Sequence, residues 1–120
     1  MKTICFVDDN EQFLEDVAEI AADYGVYDTV HTFNSPMDFR AAYLAGNLSE
    51  VSSFVFDLDM GAELNGIDLI ELIKTNVSAG DITVVSGGMG EEVRRVLEKA
   101  GVRYFLKPLS VANLQRVLSE

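Results

Sequence analysis

Short apolar runs alternate along this chain with longer stretches in which hydrophobic residues recur every three or four positions. The runs are Ile4–Val7, Thr29–Phe33, Phe54–Phe56, Ile82–Val85 and Tyr104–Leu106. Each is too short for a helix and rich in β-branched or aromatic residues, which suit a pleated surface and predict strands. The first, third and fourth lack polar alternation, as strands do when helices cover both faces of a parallel sheet.

The intervening stretches predict helices. Phe13, Leu14, Val17, Ile20, Ala21 and Tyr24 fall on one face, and Gly25 stands where a helix stop belongs. Ser35-Pro36 followed by Asp38 is a start signal: a capping hydroxyl, a proline at the first helical position and an acid near the positive end. Leu69, Ile70 and Ile73 mark a third helix. Val93, Val96, Leu97 and Ala100, closed by Gly101, mark a fourth. Val111, Leu114, Val117 and Leu118, introduced by Ser110, mark a fifth. Strand and helix thus alternate five times. The pattern predicts a (βα)5 α/β fold over residues 1–120, a doubly wound parallel sheet with right-handed crossovers. Functional groups in such sheets gather at the carboxyl ends of the strands, near the switch point in strand order.

Composition narrows the function. A chain of 120 residues, 48% hydrophobic, suits one domain with a proper core. Twenty acidic residues against nine basic ones give a net charge of -11. That excludes direct nucleic-acid binding, which needs clustered Lys and Arg. Much of the acidity reads as a solvated surface, and part of it as a cation site. Cys5 is the sole cysteine, so there is no disulfide framework, and a reducing compartment is expected. No apolar run reaches the length of a signal core or membrane span, which predicts a cytoplasmic protein without membrane attachment.

The residues at the strand ends carry the chemistry. Asp8 and Asp9 follow the first run, Asp57 ends the third with Asp59 two residues on, Ser86-Gly87-Gly88 follow the fourth, and Lys107-Pro108 follow the fifth. Singly, each has a plain reading: Asp8 or Asp9 as a helix cap, Asp57 and Ser86 as turn residues, Lys107 as a surface lysine. Together they converge on one sheet edge. Clustered carboxylates stay ionised only beside a cation, and hard oxygen ligands favour magnesium. A carboxylate is a competent nucleophile toward phosphorus, while a lysine and a hydroxyl neutralise and hydrogen-bond phosphoryl oxygens. Gly87 and Gly88 leave that site open to a partner or to water.

In this order and spacing, the chain resembles the receiver domain of two-component response regulators over its whole length. The resemblance rests on Asp8-Asp9, the Phe-Val-Phe-Asp57 strand end, Ser86 and Lys107-Pro108. It implies flavodoxin-like topology with strand order 2-1-3-4-5. It also implies that Asp57 accepts a phosphoryl group from a sensor histidine kinase or phosphotransfer protein, the domain catalysing only its own phosphorylation and dephosphorylation. Asp8, Asp9, Asp57 and the backbone carbonyl of Asp59 would bind Mg2+. Ser86 and Lys107 would hold phosphate oxygens. Ser86 and Tyr104 would act as the switch, changing the surface of the fourth helix, fifth strand and fifth helix for a downstream protein or effector domain, or for a phosphorylation-dependent dimer. The sequence departs from the family after the nucleophile: Met60-Gly61 replaces the usual Met-Pro, Asn65-Gly66 comes one residue late, and Asp59 is an unusual acid. Asp59 and Gly88 are candidates for tuning the lifetime of the phosphate.

Three rivals are weaker. Asp57-x-Asp59 resembles the first motif of haloacid-dehalogenase phosphatases, but there the nucleophile opens the chain and the acidic pair comes last. An inert receiver-like binding module has no need for the full acidic, hydroxyl and lysine set. A flavin domain of similar topology needs a phosphate-cradling loop that is not present. His31 reads as a strand residue rather than a relay site. The positions of Met1 and Glu120 fit a stand-alone receiver and an excised one equally.

Overall fold

In a computed structural model, which describes residues 2–58, 60 and 64–119, the five apolar runs become β1 (Thr3–Val7), β2 (Thr29–Phe33), β3 (Ser53–Asp57), β4 (Ile82–Ser86) and β5 (Arg103–Leu106). They form one parallel sheet in the order β2-β1-β3-β4-β5. The runs without polar alternation are β1, β3 and β4, the three central strands, and each is buried at every position. The edge strand β2 carries only exposed and half-buried residues. Period-two geometry then splits the core in two. Cys5, Val7, Phe54, Phe56, Ile82 and Val84 point to one face, while Ile4, Phe6, Val55, Val85 and Phe105 point to the other.

Helices cover both faces. α1 (Glu11–Tyr24) and α5 (Val111–Ser119) lie on the second, and α2 (Pro36–Leu44), α3 (Gly66–Ile73) and α4 (Glu91–Ala100) on the first. Phe39 of α2 is fully buried and its ring meets those of Phe33, Phe54 and Phe56 edge-on. Burying a side chain of that size contributes about 1.5–3 kcal/mol.

The helix signals act largely as expected. Gly25 and Gly101 adopt the left-handed conformation that ends α1 and α4. Ser35 accepts the Asp38 amide, and Ser110 accepts that of Asn113. The apolar faces are narrower than the sequence pattern implies. In α1 only Leu14, Val17 and Ala21 are buried, while Ile20 and Tyr24 face solvent. In α4 only Leu97 is buried, and Val96 is 51% exposed. A helix on a sheet buries about one stripe, and residues at its margin stay wet. Among the described residues no helix is long and apolar enough to cross a membrane.

Candidate functional site

Parallel register brings the strand-end residues together. Val7 is level with Phe56, Asp57 with Val85 and Ser86 with Leu106. The next residue along each strand is therefore Asp8 beside Asp57, and Lys107 beside and just beyond Ser86. β1 lies between β2 and β3, so Asp8 and Asp57 sit at the switch point where ligands settle in such sheets.

Asp8 is 1% exposed, and both its carboxylate oxygens are engaged. Oδ1 accepts the Asn10 amide at 2.9 Å, and Oδ2 accepts the Lys107 ammonium at 2.6 Å. The same ammonium stands 3.8 Å from Asp57 Oδ1, and Asp57 is 6% exposed. Asp9 is exposed. Asp8, Asp9 and Asp57 each offer a carboxylate oxygen, and all three oxygens lie within 4.8 Å of one another. An all-oxygen acidic donor set without sulfur or imidazole fits a hard divalent cation such as magnesium. Lys107 neutralises only part of this charge, and like charges so close are unfavourable without a further cation.

Neither Asp8 nor Asp9 caps α1. The cap is Asn10, whose side chain accepts the Phe13 amide at 3.0 Å. Both aspartates are therefore left for the cluster. The signal for Asn10 was in the sequence, since Asn is among the best N-caps and directly precedes the helical pattern.

Ser86 is 1% exposed and closes on its own loop. Its hydroxyl donates to the Gly88 carbonyl at 2.5 Å and accepts the Gly88 amide at 3.3 Å. Its carbonyl accepts the Lys107 amide at 2.7 Å, tying the ends of β4 and β5 together. A Cβ at Gly87 or Gly88 would meet nothing within 4 Å, so space lies open beside the hydroxyl.

Tyr104 is half-buried beside the α3–α4 core, and its hydroxyl donates to the Glu98 carboxylate on α4. That hydrogen bond, followed by desolvation and the charge of Glu98, raises the phenol above its usual range. The side chain thus faces α4.

Two residues beside the site gave no sequence signal for their position. Gly66 opens α3 against the end of β3, where its amide donates to the Leu58 carbonyl at 3.0 Å. A Cβ there would stand 2.8 Å from the Asp57 carbonyl oxygen. Phe13 lays its ring 4.5 Å below the Lys107 ammonium. His31 lies mid-strand and contacts Glu50 at 3.2 Å, away from the cluster. Cys5 is fully buried, and burial pushes its thiol well above the ordinary range, which suits a core residue rather than a nucleophile. Asp59 and residues 61–63 lie outside the described residues, and so do the Asp59 carbonyl and part of the Gly61–Gly66 path. Met60 between them is buried in the core.

Comparison with known proteins identifies the family and the fold. Residues 4–119 match the model of the response regulator receiver domain. A response regulator receiver protein from Pseudomonas putida is similar over 98% of this chain and 95% of its own, with 26% identity and a TM-score of 0.81. A response regulator protein from Burkholderia pseudomallei, solved with a phosphorylated aspartic acid, calcium ion and citrate, is 25% identical with a TM-score of 0.79. The match covers 98% of this chain and 66% of that one, so this chain spans just under two thirds of that relative. A receiver domain protein from Clostridium thermocellum shares the fold at a TM-score of 0.83 and 19% identity, over 99% of this chain and 92% of its own. No curated protein matches the chain.

Proposed function

The chain belongs to the response regulator receiver domain family, and from that premise we propose that it carries a transient phosphoryl group on Asp57 in a two-component phosphorelay. The single observation behind this reading is the convergence of Asp8, Asp9, Asp57 and Lys107 at the switch point of the sheet. The donor would be a phosphohistidine on a sensor kinase or phosphotransfer protein. One Asp57 oxygen attacks phosphorus, the phosphorus–nitrogen bond breaks, and its electron pair stays on the imidazole, leaving an acyl phosphate.

Asp8, Asp9, Asp57 and the Asp59 carbonyl would hold Mg2+, which when bound offsets the carboxylate charge and that of the phosphoryl oxygens. Lys107 already stands between Asp8 and Asp57, where its ammonium can pair with a phosphoryl oxygen. Ser86 would leave Gly88 to hydrogen-bond a second oxygen. Tyr104 would then exchange Glu98 for an inward position, altering the α4–β5–α5 face for a downstream protein, an attached effector domain or a second copy. The domain would catalyse only its own phosphorylation and dephosphorylation, with Asp59 and Gly88 bearing on the lifetime of the phosphate. Family membership favours this reading over a haloacid-dehalogenase phosphatase, and the complete acid, hydroxyl and lysine set favours it over an inert binding module.

The test is incubation of the protein with magnesium and a small acyl-phosphate donor. An acid-stable, base-labile label is expected in the parent and absent from Asp57→Asn. Folded parent that takes no label would favour the inert module.

A further inference from the structure

We propose that Phe13 is a positioning residue for the phosphoryl site, its ring face holding the Lys107 ammonium in place when Asp8 is drawn toward a cation. The proposal rests on Asp57 being the phosphoacceptor. The ammonium stands 4.5 Å from the ring centroid, inside the range of about 6 Å where a cation is attracted to the π face. The ring is fixed by the same turn that fixes Asp8. Asn10 donates its amide to Asp8 Oδ1, and its side chain accepts the Phe13 amide. Phe13 is half-buried and packs beside the α1–α5 core. Asn10 thus places Asp8 and the ring of Phe13 on two sides of the Lys107 ammonium.

Lys107 needs such a restraint because its other strong contact is shared. Asp8 Oδ2 holds it at 2.6 Å, yet Asp8 is also a member of the cation-binding set. A divalent ion drawing on Asp8 weakens that hold, and a four-carbon side chain then has many rotamers open to it. The ring binds no metal and does not titrate, so its attraction persists whatever the charge state of the cluster. It also shields one side of the ammonium from water, and the lower local dielectric strengthens its attraction to nearby anionic oxygens. If Phe13 served only as a core residue, ring electronics would not matter and any apolar side chain of similar volume would do.

The experiment uses the whole chain with mono-, di- and trifluorinated phenylalanine at position 13, which keep the shape while withdrawing π density, together with Phe13→Leu and Phe13→Tyr. Two quantities are read: the ring-current shift of the Lys107 ε-methylene protons, with and without magnesium, and the rate of Asp57 labelling by a small acyl phosphate. The ε-methylene protons should be shifted upfield in the parent and remain so under magnesium. Labelling should slow stepwise with fluorination, by about fivefold in Phe13→Leu, while Phe13→Tyr keeps the parent rate. Random-coil ε-methylene shifts under magnesium, or rates indifferent to fluorination, would overturn the proposal. An unlabelled parent overturns the phosphoacceptor reading instead, and the shift under magnesium still decides whether Phe13 holds Lys107.

Discussion

Alanine at Gly66 would add one methyl group where α3 meets the end of β3. That Cβ would lie 2.8 Å from the Asp57 carbonyl oxygen, 3.0 Å from Leu58 Cα and 3.3 Å from the Asp57 carbonyl carbon. All three are backbone atoms, so no rotamer change relieves the contact. Ordinary contact requires the two segments to part by about 0.5 Å. The Gly66 amide, however, is bonded to the Leu58 carbonyl, and the Leu58 amide to the Val85 carbonyl at 3.1 Å. Parting therefore stretches a hydrogen bond or displaces Asp57. Overpacking of this kind costs about 1–3 kcal/mol, and a lost backbone hydrogen bond about 1 kcal/mol. Alanine's helix propensity offsets at most about 1 kcal/mol of this. The expected net effect is a destabilisation of about 1–3 kcal/mol, read as a lower urea midpoint at unchanged slope, with slower labelling of Asp57. A variant as stable as the parent would refute the reasoning, because it would show that α3 has room and that propensity decides.

Two further outcomes test the site and the switch separately. Magnesium at ten times its dissociation constant should stabilise the folded parent by about 1.4 kcal/mol in urea. Asp9→Asn should lose most of that gain, and Asp57→Asn should be more stable than the parent without metal, because one repelling charge is gone; a parent indifferent to magnesium would sink the cation site. For Tyr104, the folded phenol titrates above its unfolded value of about 10 because Glu98 accepts its hydrogen bond. This contribution to stability is present below that pH and is lost as pH rises through the folded pKa. Ultraviolet titration should show a late-titrating component that moves to lower pH in Glu98→Gln, and no movement would detach Tyr104 from Glu98.

The fold was legible because its signals are local. Runs such as Ile4–Val7 and Phe54–Phe56 declare strands buried on both faces, and Gly25 and Gly101 declare helix ends. Asp8, Asp57, Ser86 and Lys107 gather from strand order alone, since parallel strands carry their ends to one edge. What stayed hidden depends on distances between segments far apart in sequence. Nothing in the chain says that Lys107 bonds Asp8 rather than Asp57, or that the start of α3 touches the Asp57 backbone. Phe13 has the helical spacing of a core residue and does pack beside the core, so its second contact leaves no mark on the pattern. Ile20, Tyr24 and Val96 keep the helical spacing of their faces yet stay exposed, because periodicity marks a face without marking its width.

The hydroxyl of Ser86 is already satisfied at both its donor and its acceptor side by Gly88. On the proposed reading, a phosphoryl group recruits it only by displacing partners it already has, so the output reflects a difference between two bonded arrangements. The preference for the resting arrangement sets how often unmodified protein signals by accident. Each 1.4 kcal/mol or so of that preference lowers such background output about tenfold, and demands the same extra amount from the phosphoryl contacts. On that reading the serine loop would set the ratio of signal to leak, independently of how fast Asp57 is modified.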